Sequence, residues 1–599
     1  MALKGFFNKI LFVDLTAGAF KEESIPENLT RTFLGGKGLG SLLLLRYNPP
    51  KVDPLSPQNC IIFTTGLGTD TALLGSSRYG VYTKSPQTGI YSESYSGGKI
   101  ARTFSRTGYD AVVISGASEQ PIFLEIFEGG VGIHPASQLW GMETYQAEDY
   151  LKKATSQKGA GALVIGPAGE NQVKFAILST DYWRSAGRTG VGAILGAKMV
   201  KGIIFHGNQR RPVSKENELK AFTKEILARV REDPKAKSLK EFGSPALVSI
   251  MNIIGGFPTR YWSKGRRDDW EAISAESLRE RCHVESRSCP MCSLKCGKTS
   301  TVRHGKYQGV KVGGPDYQTI NAFGGLCMIR SIEEIIYLND LCDRLGMDTI
   351  TAGNLCAFAI EASLRGVITE KLEYGNTESI AKLLHKIAYK EGVGIDLAEG
   401  INFVSKKWRL EKLAVHVKGL EPPGYDPRAL RRMGLAYAMA DRGACHSRSG
   451  LYIPELRGEI SAEKAEGKVK ELIDYEDRLT IFDSIILCRF YSDFIGWKEL
   501  EIIINIITGE SLKKHHLKQI AQSITNLVRQ YNIQEGVSKK DDYLPKRFFK
   551  ETLGDGKSMY TEEEFGNMID EYYKARGWDP KGNPPPSLSK LAEKFITDL

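Results

Sequence analysis

Three cysteines within eight residues, Cys289, Cys292 and Cys296, constrain this chain more than any other feature. Thiols spaced C-x2-C-x3-C can turn toward one side of a tight loop, and thiolates are the preferred ligands of iron–sulfur clusters. A cubane takes four thiolates, so the fold must bring the fourth from elsewhere. Cys327, Cys342, Cys356, Cys445 and Cys488 are all available, and spacing does not choose among them. Cys342 and Cys356 fall within helical periodicity and Cys488 follows the apolar run Ile485-Ile486-Leu487, so packing alone accounts for each. Cys282 and His283 keep a zinc site open, although the usual second Cys or His pair does not follow. Unligated buried thiols are the third reading.

The surrounding pattern changes once along the 599 residues, a length that calls for three or four domains' worth of core. Up to about residue 207 the signals are those of strands. Ile10 to Val13 runs into a Thr16-Ala17-Gly18 turn and a charged return strand, which predicts a hairpin. Short apolar runs follow at Cys60 to Phe63, Tyr79 to Thr83, Ala111 to Ser115, Ile122 to Phe127, Ala162 to Ile165, Phe175 to Leu178 and Ile203 to Phe205. Mixed sheets with few helices are expected there. Beyond about residue 213 the periodicity is helical, over Glu216 to Arg231, Ser331 to Gly346, Ala352 to Arg365, Ser379 to Lys390, Asp426 to Ala440 and Leu517 to Tyr531. Ser331 with Glu334 is an N-cap signature. The long irregular stretches are expected around 255–310 and after 532. Many of the 62 glycines stand in short clusters, which predicts backbone closely approaching a ligand.

Charge and hydropathy exclude several classes. Lys plus Arg exceed Asp plus Glu by 81 − 71 = 10, which fits a solvated surface, an acidic protein partner or an anionic cofactor. No nucleic-acid motif or long basic tract occurs. The first residues read as a strand start and not as a signal peptide. No segment reaches about 18 uninterrupted apolar residues, so no membrane span is expected. The ten cysteines are therefore read as reduced thiols or metal ligands of a cytoplasmic protein.

A series of short motifs then carries a resemblance. Asn8 to Thr16 forms the first, followed by Leu34-Gly35-Gly36-Lys37-Gly38-Leu39-Gly40, Pro54-Leu55-Ser56-Pro57, Gly75-Ser76-Ser77-Arg78-Tyr79 and Thr83-Lys84-Ser85-Pro86. Ser96-Gly97-Gly98, Ala186-Gly187-Arg188-Thr189-Gly190 and Arg442-Gly443-Ala444-Cys445-His446 complete it. In this order and spacing, from Gly5 to about Asp579, the chain resembles the aldehyde ferredoxin oxidoreductase family. The resemblance implies an α+β fold. A β-rich domain over 1–207 would form a saddle under a metal held by two pterins. Helical domains over 208–418 and 419–599 would enclose it.

The implied cofactors are tungsten or molybdenum on the dithiolenes of two molybdopterins, magnesium joining the pterin phosphates, and one [4Fe-4S] cluster. Each helical domain is expected to grip a pterin through a D-x-x-G-L-D/C turn. The first reads Asp343, Gly346, Asp348. The second reads Asp483, Leu487, Cys488, with Ile486 where the family has glycine. The family places its fourth cluster ligand at that last cysteine, which assigns Cys488 to join Cys289, Cys292 and Cys296. Arg78 is expected between cluster and pterin. Ser96, Gly97, Gly98, Arg188 and Gly190 are expected to cradle the pterins and their phosphates.

His446 matches the family's active-site histidine, a group able to donate to an oxygen and shuttle a proton. Asp316 stands where the family has a glutamate, and Gln318 where it has a second. Gln318 can hydrogen-bond but cannot act as a base. The expected activity is interconversion of aldehydes and carboxylic acids, with electrons leaving through the cluster to a ferredoxin-like partner. The alternatives are the tungsten subunit of a class II benzoyl-CoA reductase-like complex and a cluster-only electron-transfer subunit. A homodimer is compatible with the sequence. The one E-x-x-H, Glu280 to His283, lies beside the cysteine loop, so no metal bridging two subunits is expected.

Overall fold

The apolar runs of the first 207 residues pair into two six-stranded sheets in this computed structural model, which describes residues 3–450, 452–456, 468–586 and 595. The first sheet contains β1 (Lys9–Asp14), β2 (Ala19–Ser24), β3 (Ile61–Thr64), β4 (Arg78–Lys84), β5 (Tyr91–Gly97) and β6 (Ala111–Ser115), in the order β2-β1-β6-β3-β4-β5. The second contains β7 (Ile122–Phe127), β8 (Gly130–Pro135), β9 (Gly161–Val164), β10 (Leu178–Thr180), β11 (Arg184–Ala186) and β12 (Val200–Phe205), in the order β11-β10-β9-β12-β7-β8. Only β1–β6 and β7–β12 pair in parallel among these neighbours. Buried side chains of both sheets, among them Phe63, Ile114, Leu124, Leu163 and Ile203, share one core. The run Phe175 to Leu178 is a strand only at its last residue. The expectation of few helices also falls short. Six helices punctuate the strands, the longest being Gly36–Tyr47 and Thr144–Ala154.

The helical half follows its periodicity closely. Glu216–Glu232, Ile332–Leu345, Thr349–Leu364, Thr377–Ala388 and Lys514–Gln534 are helices. The Ser331 capping box forms as its sequence requires. The segment expected to begin at Asp426 starts its helix later, at Arg431. Before it, the Asp426 carboxylate accepts from Arg428 Nε at 2.9 Å and Nη2 at 2.7 Å, and this pair holds an irregular turn through Pro427.

The two stretches expected to be irregular are structured. A three-stranded antiparallel sheet, β13 (Cys282–Arg287), β14 (Gly297–Val302) and β15 (Lys311–Gly313), occupies much of the first. Alternating polar residues on an exposed ribbon hid it. The second contains the helix Glu562–Arg576, with its own Thr561–Glu564 capping box. Among the described residues no helix is long and apolar enough to cross a membrane.

Many clustered glycines admit protein and not ligand. A Cβ on Gly36 would stand 2.2 Å from Asp483 O, and one on Gly40 would stand 2.3 Å from the Tyr82 ring. The helix Gly36–Tyr47 is thereby pressed against the end of the helix Lys468–Ser484 and the face of β4.

Candidate functional site

The cysteine loop is the connection of a hairpin. β13 and β14 pair from Cys282↔Val302 to Arg287↔Gly297, and Cys289, Cys292 and Cys296 lie in the loop between them. Gly75 joins this loop to the remote cysteine. Its N–H donates to Met291 O at 2.9 Å, and its carbonyl accepts from Cys488 N at 2.9 Å. Gly75 has φ +75°, and a Cβ there would meet the Tyr491 ring at 2.5 Å, so a side chain would push the two segments apart. Tyr491 Oη donates to Cys292 Sγ at 3.6 Å and accepts from Ser293 N at 3.0 Å.

The charges of Cys292 and Cys296 are each felt together with that of Cys488. All four thiols are half-buried, whereas Cys327, Cys342, Cys356 and Cys445 are fully buried. Among the described residues no three His, Cys, Asp or Glu side chains converge on a point as for a single ion. Cys292, Cys296 and Cys488 are nonetheless near enough to act on one another electrostatically. Two arginines stand beside these thiols. Arg78 Nη1 lies 3.9 Å from Cys488 Sγ. Arg184, on β11, is raised above its ordinary pKa by Cys289, Cys296, Asp316 and Cys488 against the opposing effect of burial.

Register explains how Arg78 meets the glycines twenty residues later. β4 and β5 pair with Arg78↔Gly97 and Tyr79↔Ser96 at the open end of their hairpin. Gly97 faces the cysteine loop: a Cβ there would stand 2.8 Å from Cys289 Sγ. Ser77 Oγ donates to Gly98 O at 2.7 Å, and Ser96 Oγ donates to Gly97 O at 3.2 Å.

On the far side of Arg78 opens a cavity of about 380 Å³. Five arginines line it, Arg78, Arg188, Arg442, Arg448 and Arg489, against two acids, Asp348 and Asp483. Arg448 reaches Asp483 at 2.8 Å and Glu93, and Arg489 reaches Asp483. Burial alone would raise the Glu93 carboxyl, but Arg448, Lys37 and Arg442 hold it well below the usual range. Arg188 ties the His446 loop in place through Ala444 O at 3.1 Å and Glu421 O at 2.6 Å. Several buried polar atoms here have no hydrogen-bond partner: Nε of Arg188, Arg442 and Arg448, Nη1 of Arg489, Nδ1 of His446 and Oγ of Ser449. Buried donors are almost always satisfied, and guanidiniums favour phosphate and other anionic groups. This donor set fits a large, anionic, polar-edged guest.

His446 stands at the cavity wall, its ring tilted against Tyr425 at 5.4 Å and Tyr452 at 6.2 Å. Burial, reinforced by Arg188, Arg442, Arg448 and Arg489, lowers its pKa to about 3, so it is a neutral imidazole at neutral pH. Its neighbour Cys445 accepts from Arg442 Nη2 at 3.1 Å. Burial would raise this thiol, but Arg442 and Arg448 bring it down to about 7.

The two expected helix-end turns both form. In the first, Gly346 N and Met347 N donate to Cys342 O at 2.8 and 2.9 Å, with Gly346 at φ +81°. Asp348 caps the next helix by accepting from Thr351 N at 3.0 Å through Oδ2, and Arg188 Nε lies 3.6 Å from the same oxygen. Asp343 accepts from Asn339 Nδ2 at 2.8 Å, and burial, then Asp340 and Asp316, raise its carboxyl well above the usual range. In the second turn Leu487 N donates to Phe482 O at 2.8 Å, with Ile486 at φ +56°. The turn forms without its glycine.

Two expected site residues lie away from this cavity. Asp316, expected to share proton handling with His446, is exposed, accepts from Ser244 Oγ at 3.2 Å and stands outside the cavity lining. Gly190 is glycine because a Cβ would stand 2.1 Å from Lys174 O, a packing reason, and it also lies outside the cavity lining. The sequence reading missed Arg184, Glu93, Arg442, Arg448, Arg489 and Glu421. Arg442 was legible from its place in the Arg442–His446 motif. The others are single charges that acquire meaning only from their neighbours in space.

Comparison with known proteins follows the same division of the chain. Residues 10–207 match the model of the aldehyde ferredoxin oxidoreductase N-terminal domain, and residues 221–592 match that of its domains 2 and 3. A tungsten-containing aldehyde ferredoxin oxidoreductase of Thermococcus kodakarensis is 34% identical, over 97% of this chain and 98% of its own length. One from Pyrococcus furiosus is 33% identical over 99% and 100%. The aliphatic sulfonate oxidoreductase WOR-like subunit of Pyrococcus furiosus is 29% identical over 96% and 95%. Among solved structures, the active-site complex BamBC of benzoyl coenzyme A reductase with 1,5-dienoyl-CoA superposes with a TM-score of 0.85 at 23% identity, covering 100% of this chain and 98% of that one. That is a likeness of fold.

Proposed function

The chain belongs to the aldehyde ferredoxin oxidoreductase family, and on that premise we propose that this oxidoreductase interconverts aldehydes and carboxylic acids on a tungsten–pterin cofactor, passing electrons through a [4Fe-4S] cluster to a ferredoxin-type acceptor. One observation carries the reading: Arg78 and Cys488 both line the arginine-rich cavity, 3.9 Å apart, and a backbone hydrogen bond from Cys488 N to Gly75 O joins that cysteine to the segment that also holds the cysteine loop. Cys289, Cys292, Cys296 and Cys488 would hold the cluster. The unpartnered guanidinium nitrogens of Arg188, Arg442, Arg448 and Arg489 suit pterin phosphates and ring edges. Asp348 and Asp483 supply the carboxylates of the two gripping turns. When bound, the cofactor supplies Lewis-acid polarisation of a carbonyl and a place for two electrons.

The protein's own part is proton handling and orientation. His446 Nδ1 has no hydrogen-bond partner, and the arginines that reinforce burial in depressing its pKa are those an anionic cofactor would neutralise, so with the site filled we assign it the proton released as the hydrated carbonyl collapses. We assign that task to His446, which lines the cavity, and not to Asp316, which does not. Arg188 holds the imidazole's loop from behind. Tyr425 and Tyr452 exclude water from the ring face.

The test is metal, iron and pterin analysis of anaerobically purified protein, followed by aldehyde oxidation with a viologen acceptor. About one tungsten or molybdenum, about four irons and two pterins per chain are expected. His446→Ala is expected to keep this content and lose at least about 100-fold in kcat, the usual worth of a proton-transfer group. Full content with undiminished turnover removes His446 from the chemistry. Four irons without pterin would leave only the electron-transfer role.

A further inference from the structure

Three spaces between the redox site and the surface share walls. The cavity described above shares Arg448 and Arg489 with a second, smaller one of about 40 Å³. That second cavity shares Lys418 with an open groove of about 1010 Å³. The middle space is lined by Lys37, Asp441, Thr480, Arg529, Asn532 and Tyr572, among others. It has room for about two or three waters and an ample set of polar partners for them.

A run of buried polar groups follows the same line. Asp483 is joined to Arg448, Arg448 to Glu93, Glu93 to Lys37 at 3.2 Å, and Lys37 to Asp441 at 2.5 Å. Asp441 turns one oxygen to Lys37, while Oδ1 is buried without a protein partner. Its carbonyl accepts from Asn532 Nδ2 at 2.6 Å. At the outer end Lys418 pairs with Asp542 at 2.8 Å, and Asp542 is also held by Arg529 at 2.7 Å and Tyr573 at 2.5 Å.

Stability alone is a poor reason for so many charges in one line, because burying them costs more than an apolar filling of the same volume. The proposed reaction supplies another reason. An aldehyde plus one water gives a carboxylic acid, two electrons and two protons. The electrons leave on the cysteine side, and the protons need their own way out of a site walled by arginines.

We propose that the middle cavity is the proton and water passage of the redox site, with Asp441 as the relay group and the Lys418–Asp542 pair as its outer door. The inference rests on the reading of the site as an oxidoreductase centre. Lys37 and Glu93 stay charged: Asp441 and Glu93 raise the Lys37 pKa against burial, and Glu93 is held low. They position the relay and do not carry the proton. Asp441 lines the middle cavity and keeps one buried oxygen free of hydrogen-bond partners, the feature that marks it as the relay.

The experiment compares the loaded wild-type protein with Asp441→Asn, which keeps shape and loses the titrating group. Metal, iron and KM are expected to stay as in wild type. The kcat is expected to fall about tenfold, the solvent deuterium isotope effect on it to rise, and proton release seen with a pH dye to lag behind cluster bleaching. Asp441→Glu is expected to restore all three. Thr480→Val, isosteric and without the hydroxyl, decides the matter should Asp441→Asn fail to load: it is expected to raise the isotope effect in the same direction. Turnover and isotope effect equal to wild type in a loaded Asp441→Asn protein, or in Thr480→Val in its place, would overturn the proposal. Reduction by titanium(III) citrate reads the same passage without any substrate, through the rate of accompanying proton uptake. A protein inert to aldehydes that still shows the Asp441-dependent uptake retains the passage and refutes the aldehyde reading.

Discussion

The two helix-end turns solve one steric problem in opposite ways. In the first, the left-handed residue is Gly346, and what lies against it is backbone: a Cβ would stand 2.9 Å from Gly166 N. In the second, the left-handed residue is Ile486, a β-branched side chain in a region such residues avoid. Here the glycines have moved to the neighbouring segment. Cβ atoms on Gly36 and Gly66 would each stand 2.8 Å from Ile486 side-chain atoms. The missing volume is conserved across the contact, not at a fixed position. The second turn therefore depends on tertiary packing for a conformation the first obtains locally.

The turns also end differently. Asp348 caps a helix and faces Arg188, whereas Cys488 faces Arg78 and the cysteine loop. The largest expected difference between them follows. Cys488→Ala should lose the cluster's absorption and electron paramagnetic resonance signals and at least about 100-fold of dye-linked activity. Asp348→Ala should keep the iron and lose a cap worth about 1 kcal/mol. Iron retained in Cys488→Ala would break the contrast.

Next in size, transplanting the second solution into the first should fail. Gly346→Ile adds left-handed strain and a collision with Gly166, and should cost more than about 3 kcal/mol in chemical denaturation.

Glu421 sharpens the comparison on the first-turn side, where it accepts from Thr351 Oγ1 and Gln87 Nε2, each at 3.0 Å. Burial raises its carboxyl to about 7, against the opposing pull of Arg188. Between about pH 4.5 and 7 the folded chain keeps a proton there that the unfolded chain has lost. Stability from this group is complete below pH 4.5 and is lost as pH rises through 7, by about 3 kcal/mol. Glu421→Gln should flatten that slope in denaturation curves recorded across the window.

The smallest effect belongs to Ile486. Its truncation to Ala relieves strain while opening a cavity, so it should cost about 1 kcal/mol less than truncation of the equally buried Ile504 in a regular helix. Equal losses would mean that Ile486 sits without strain.

What was legible in the sequence follows this local–tertiary divide. Ser331 with Glu334 and the Gly346 stop mark one helix from end to end, because caps are short-range chemistry. The cysteine spacing marks the loop for the same reason. A left-handed Ile486 cannot be read from its own segment, since Gly36 and Gly66, hundreds of residues earlier, make it possible. Arg184 and Glu93 stand in strand-like segments as ordinary polar residues, and only the sheet register carries them to the site. The exposed Asp316 was placed by motif position, which says nothing about the direction of a side chain.

The arginine wall has a consequence for how such a protein comes into being. Five guanidiniums facing two carboxylates form a charge excess that a freshly made chain must hold apart in a half-dry space. Whatever anion fills that space contributes its binding free energy directly to the folded state. On the proposed reading, filling the space is the step that completes the stability of the fold. Chains that emptied or never filled the space would be the first that cellular proteases recognise.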